Sequence, residues 1–307
     1  MRNIFSIILI LFVLSCDNSV DEKTFNKKLK NKITGIDISN NDSIIVFTAI
    51  VEDTSYIYLL PLSTYVPEII FKSINFCYNP LFFNNGKELL FVSTDTLENY
   101  YINKININDS KIIQSDFIST HYIAKAIFSL DETKIYYISA AEQLNYSPIA
   151  KEAPHNMDVY SFDNKYKKTV RLTRINEYSI RDINLFNDGA GIIFNKNNLT
   201  FGYFDLNESN KIRNLTPSNF NELNIALIGG VYVKNNLIYF TSPYELFLMD
   251  TSFYASKLMG PNAFQLSNFT VDSKNKKMFF SKNIISDTLF VFIYDFDSKQ
   301  IKNIVVE

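Results

Sequence analysis

The chain has 307 residues, 47% hydrophobic and 20% charged, with 30 Lys and Arg against 32 Asp and Glu. That composition is ordinary for a globular protein and excludes wholesale disorder or a coiled coil. A net charge of −2 lacks the basic footprint of a nucleic-acid binder, and two His with two Cys cannot furnish a Cys-rich zinc site or a disulfide scaffold.

Residues 1–15 read as a secretory signal. Met1-Arg2-Asn3 gives a positive start, and the apolar run Ile4 to Leu14 is too short for a bilayer core that needs about 20 helical residues. Val13-Leu14-Ser15-Cys16 then resembles the lipobox of bacterial lipoproteins. That resemblance implies cleavage before Cys16 and acylation of its thiol, by palmitate or similar chains. It implies a cell-envelope protein held to a membrane by its lipid, at the outer membrane or the periplasmic face. The alternative is an ordinary cleaved signal in which Cys16 is incidental. Asp17 to Lys32 is polar and Lys- and Asn-rich, so residues 16–32 read as a flexible tether. Cys77, in an apolar stretch, reads as a buried small hydrophobe rather than a nucleophile.

From Ile33 to Glu307 short apolar runs alternate with Asn, Asp, Ser and Lys clusters, and no long segment has helical periodicity. One element recurs: a polar turn, an apolar strand ending in an aromatic, then small polar residues. The aligned aromatics are Phe47, Phe91, Tyr137, Phe194, Phe240 and Phe280, spaced 44, 46, 57, 46 and 40 residues apart. A period in the forties with about four strands per unit predicts a six-bladed all-β propeller of four-stranded antiparallel blades over residues 33–307. The second copy predicts strands at Phe76–Phe83, Glu88–Ser93, Tyr100–Ile107 and Lys111–Gln114. The fourth predicts Ile180–Phe186, Ile192–Asn195, Leu199–Leu206 and Lys211–Thr216. Gly is scarce, so Asn pairs are expected to close the hairpins. The excess of 27 Phe and 19 Tyr is expected to fill the seams between blades. How the ring closes is not legible, because the first and last copies each supply a whole blade.

The run from Asn79-Pro80 through Asn84-Asn85-Gly86-Lys87 to Phe91-Val92-Ser93 resembles the propeller repeat of the TolB family. So do Phe128-Ser129-Leu130-Asp131 with Lys134-Ile135-Tyr136-Tyr137, and the later Asp158-Val159-Tyr160 and Arg171-Leu172-Thr173. The resemblance is closest in blades two to four. It implies the propeller fold and, more loosely, a binding role. No counterpart of the α/β domain that precedes the propeller of TolB itself is expected in this chain.

The third blade is about ten residues longer than its neighbours. The excess falls between its second and third strands, in Ala140–Asn156, expected as a loop. Loops joining strands two and three share a face with the links between blades. His121, Tyr146, His155, Arg174, Tyr178 and Arg181 are therefore expected on one rim, where binding residues usually sit. No catalytic residue, metal or cofactor is assigned. Asp158, Asp182 or Asn184 with His155 have no diagnostic metal spacing, there is no Gly-x-Ser-x-Gly, and Gly229-Gly230 opens no helix. The sequence thus points to a lipid-anchored envelope propeller that binds or scaffolds an envelope protein or peptide and no nucleic acid. The alternative is a lactonase- or lyase-like enzyme, or a carbohydrate binder, working at the channel mouth.

Overall fold

The computed structural model describes residues 31–144, 153–196, 200–208, 211–223, 225, 228–242, 245–259, 266–282 and 288–306. The signal, Cys16 and Tyr146 lie outside those residues.

Six four-stranded antiparallel sheets follow one another along the chain, each built from consecutive strands. Blade one holds β1 (Asn31–Ile38), β2 (Ile44–Val51), β3 (Thr54–Pro61) and β4 (Glu68–Ser73). Blade two holds β5 (Phe76–Phe82), β6 (Glu88–Thr94), β7 (Tyr100–Asn106) and β8 (Lys111–Ile118). Blade three holds β9 (Ile123–Phe128), β10 (Lys134–Leu144), β11 (Ala153–Asp163) and β12 (Lys168–Arg171). Blade four holds β13 (Ile180–Phe186), β14 (Gly191–Lys196), β15 (Thr200–Asp205) and β16 (Ile212–Leu215). Blade five holds β17 (Val231–Lys234), β18 (Leu237–Thr241), β19 (Leu246–Met249) and β20 (Ala255–Met259). Blade six holds β21 (Leu266–Val271), β22 (Lys277–Lys282), β23 (Phe290–Asp295) and β24 (Ile301–Val305). Among the described residues the only helical element is one 3-10 turn, Phe220–Glu222. The first strand starts at Asn31, two residues before the expected boundary.

The first strand of every blade lines the axis. All inner strands begin on one face, called upper below, where the links between blades and the loops between second and third strands also lie. Phe47, Phe91, Tyr137, Phe194, Phe240 and Phe280 all fall on second strands, and all six are buried. The residue five positions before each of them has a positive φ: Asp42, Gly86, Glu132, Gly189, Asn235 and Asn275. This corrects the expectation of Asn pairs. Only blade five closes its hairpin on one, Asn235-Asn236. In blade two Gly86 rather than Asn84-Asn85 takes the left-handed angle, its N–H donating to Phe83 O at 2.9 Å.

The core is divided into six apolar clusters, and each spans the seam between two neighbouring blades. The seam between blades six and one answers the closure question. Phe47, Ile45 and Leu60 of blade one pack with Phe279, Val291 and Ile304 of blade six. Asp42 adds polar ties to Ser273, accepting from its N–H at 2.8 Å and from its hydroxyl. Among the described residues closure is by packing and hydrogen bonds, with no strand exchanged between the first and last blades.

The long third blade departs from expectation. Ala140–Asn156 is not simply a loop: β10 and β11 run on as a paired hairpin, with Glu142 opposite His155 and Leu144 opposite Ala153. Residues 145–152 at its tip lie outside the described residues.

Candidate functional site

In five blades the residue just before the inner-strand partner of the repeated aromatic lines the axis, and in blade two, where the register of β5 shifts, Asn79 does so. These residues are Gly35, Asn79, Lys125, Asp182, Gly230 and Asn268, and all six line a central cavity of about 480 Å³. One of the two glycines is forced by space, since a Cβ on Gly35 would stand 2.4 Å from Pro80 of the next inner strand.

Most polar side chains of this channel are committed to the seams. Phe82 N–H donates to Asp37 Oδ2 at 2.9 Å between blades one and two. Asn79 Nδ2 donates to Ala126 O at 2.8 Å between two and three. Lys125 Nζ meets Asp182 Oδ1 at 2.7 Å between three and four. Asn184 Nδ2 donates to Val231 O at 2.8 Å between four and five. Thr270 Oγ1 donates to Tyr232 OH at 2.9 Å between five and six, and Asn268 Nδ2 to Ile33 O at 3.2 Å between six and one. Every seam is therefore stitched at least once at the axis. Such bonds contribute about 1 kcal/mol each, but leaving one partner buried and unmet costs more. Burial pushes the Asp37 carboxyl up to about 6, opposed by the Phe82 N–H and by Lys234 and Lys125. Burial, with the nearby Asp37 charge, raises the Tyr232 phenol well above its ordinary value.

The residues weighed for a metal are not brought together. Asp158 lies on β11, away from the channel. Its buried carboxylate accepts from Arg171, from Thr173 Oγ1 at 2.7 Å and from Ile175 N–H at 2.8 Å. Asp182 and Asn184 are spent on the seams. Among the described residues no group of three or more His, Cys, Asp or Glu could hold a metal ion. Cys77 is buried, and its burial pushes the thiol up to about 12, as a packed hydrophobe requires.

On the upper face the channel opens through Thr34, Tyr78, Ala124, Arg181 and Asn268 into a depression of about 790 Å³. Most of its wall comes from blades two to four, with Phe76, Tyr100, His121, Tyr122, Met157 and Arg181, and Lys32 of blade one and Asn268 of blade six complete it. The aromatic wall is fixed from beneath. Tyr78 OH donates to Ile123 O at 2.5 Å, and the Tyr100 and Tyr122 rings meet edge-on at 6.2 Å. Burial raises the Tyr122 phenol, with the Arg181 guanidinium opposing the shift. His121 and Arg181 are exposed, and their side chains make no hydrogen bond or ion pair among the described residues. Asp95 and Glu98 supply the acidic side of the rim.

The expected rim is thus divided. His121 and Arg181 line the depression. His155 and Tyr178 pair beside it, with ring centroids 5.3 Å apart; His155 is buried under the exposed Tyr178 rather than displayed on a loop. Arg174 is exposed on the link to blade four. The reading of the sequence missed Asp37, Lys125 and Tyr232 in the channel and Tyr100 and Tyr122 on the face. Aligning the inner strands on the six aromatics would have found the channel layer.

No family model matches the chain, and no curated protein matches its sequence. Among solved structures, TolB from Acinetobacter baumannii is similar with a TM-score of 0.64 at 13% identity, over 91% of this chain and 64% of that one. The chain therefore spans under two thirds of the length of that TolB. It is one of 1365 solved chains that match, so the likeness describes a widely shared scaffold and leaves function to the site. The chain is a six-bladed β-propeller of TolB-like fold.

Proposed function

We propose that this chain is a lipid-anchored propeller of the cell envelope that binds a protein or peptide partner on its upper face, across blades two to four. The observation that carries the reading is the contrast between the two cavities. In the channel, the polar groups stitch seams and leave little for chemistry. In the depression, His121 and Arg181 have no side-chain partner among the described residues and stand beside a rigid aromatic wall, which suits recognition of a polypeptide that supplies both apolar and polar contacts. The volume is in the range of binding clefts, and loops on a rigid scaffold are the usual place for recognition. The lipid anchor rests on Cys16 behind its apolar leader.

Two variants of the full chain test this reading. Cys16→Ser is expected to move the protein from the membrane to the soluble envelope fraction. His121→Ala with Arg181→Glu is expected to abolish co-purification of a stoichiometric partner while melting like the parent. Unchanged partner recovery in the second variant would remove the site.

A further inference from the structure

A bulge at the start of blade four fixes the base of Arg181. The register of β13 against β14 shifts between Ile180 and Ile183, which puts Arg181 and Asp182 on the irregular stretch. Both of their N–H groups donate to Oδ1 of the buried Asn195, at 2.8 and 2.9 Å, and Asn195 Nδ2 donates to Gly229 O at 2.8 Å. A bulge held in this way re-aims the side chains it carries. Asp182 is sent into the channel, where it is spent on Lys125 Nζ and on the Val231 N–H at 3.1 Å. Arg181 is sent to the neck, and alone among the described cationic residues it lines both the channel and the depression above it.

Tyr122 lines the same depression, half-buried, with its ring edge-on to Tyr100. The Tyr78 hydroxyl is spent on Ile123 O, whereas the Tyr122 hydroxyl makes no hydrogen bond among the described residues. The Arg181 guanidinium is near enough to oppose the rise that burial imposes on the Tyr122 phenol. Two neighbouring donors, one charged and one neutral, are thus unspent, and donors held in place beforehand lose little freedom when a ligand arrives. The charge balance says what that ligand is. Lys32 and Arg181 stand against Asp95 and Glu98 around the depression, which leaves no excess positive charge for a dianion such as phosphate. A carboxylate carries one charge on two acceptor oxygens, and a guanidinium with a phenol beside it matches both.

We propose that Arg181 and Tyr122 together hold one carboxylate of the partner polypeptide at the neck of the channel, the guanidinium as the charged donor and the phenol as the second. The proposal rests on the reading of the upper face as a polypeptide-binding surface and names the group recognised there. A polypeptide offers that group at its C-terminus or on an Asp or Glu side chain, and either fits the same two donors.

The chain has five arginines, so its side-chain Nε–H signals are few in a nitrogen-15 spectrum, and Arg181→Lys assigns one of them. The full chain is titrated with N-acetyl-phenylalanine, with its uncharged amide, and with N-acetyl-glutamyl-phenylalaninamide, which carries its carboxylate on a side chain. At least one acid is expected to shift the Arg181 signal and to bind at least about tenfold more tightly than the amide. The first acid alone would point to a chain end, the second alone to an acidic side chain. Arg181→Gln is expected to bring the acid down to the level of the amide. Tyr122→Phe, which keeps the ring contact with Tyr100, is expected to weaken the acid by about threefold to tenfold and to leave the amide unchanged. Acids that bind no better than the amide, or that bind equally well to Arg181→Gln, overturn the proposal. A protein crosslinked from the His121 position in the same preparation would then keep the upper face as the binding surface, and the lack of one would remove that reading as well.

Discussion

Asp158 on β11 and Arg171 at the end of β12 form a two-pronged ion pair within blade three. The Arg171 Nε and terminal nitrogen both reach Asp158 Oδ2, the first at 3.1 Å, and the carboxylate is fully buried. The other oxygen takes the Thr173 hydroxyl and the Ile175 N–H. This gives the physical content of the Asp-Val-Tyr and Arg-Leu-Thr segments, which lie thirteen residues apart and work as one unit. The pair locks the third and fourth strands and the link that leaves them.

Removing only the cation leaves a buried carboxylate half-satisfied. Arg171→Ala is expected to destabilise the protein by about 3–5 kcal/mol, and Arg171→Ala with Asp158→Leu by clearly less. Chemical denaturation of the two variants checks this; equal losses would refute the cost assigned to the uncompensated Asp158 charge.

Phe194 and Gly202 face one another across β14 and β15, and a Cβ on Gly202 would lie 2.4 Å from the Phe194 ring. Phe194→Ala is expected to cost about 3–5 kcal/mol by emptying the seam between blades three and four. Gly202→Ala is expected to cost about 1–3 kcal/mol by forcing the ring aside. Thermal melts that match the parent in either case would refute this packing.

Asp37 predicts a pH dependence. Its carboxyl titrates at about 6 in the folded protein against 3.8 for an ordinary Asp, so between those values the folded state holds more protons than the unfolded one. Stability therefore falls as pH rises through this window and stays lower above it. The full shift corresponds to at most about 3 kcal/mol, less where channel water reaches the group. Asp37→Asn keeps an acceptor for the Phe82 N–H. It is expected to flatten the decline between pH 4 and 6 and to gain stability at pH 8 relative to the parent. An unaltered slope in urea titrations would show that Asp37 is not the group responsible.

What could be read in the sequence follows from where each signal is local. The second strands are buried on both faces, so their aromatic ends and the left-handed turn five residues earlier repeat within short stretches, and the six blades were legible. The extended hairpin of blade three was not. Gln143, Asn156 and Pro154 read as loop, while the register that pairs Glu142 with His155 leaves no mark in either segment. The channel layer was hidden for a different reason. Lys125 and Asp182 stand 57 residues apart and meet only because neighbouring blades pack side by side. The positions of His121, in a link, and of Arg181, at the start of β13, were legible because the repeat spacing places links and inner-strand starts on one face. Tyr100 and Tyr122 were absorbed into the general aromatic excess.

The most direct measurement of the partner-binding account is site-specific photo-crosslinking in intact cells. A photoreactive residue replaces His121 on the upper face or Leu130 on the lower one of the full-length protein. The account predicts a discrete protein adduct from the His121 position alone, lost when Arg181→Glu is added. The same adducts from both positions, or none from His121, would contradict it.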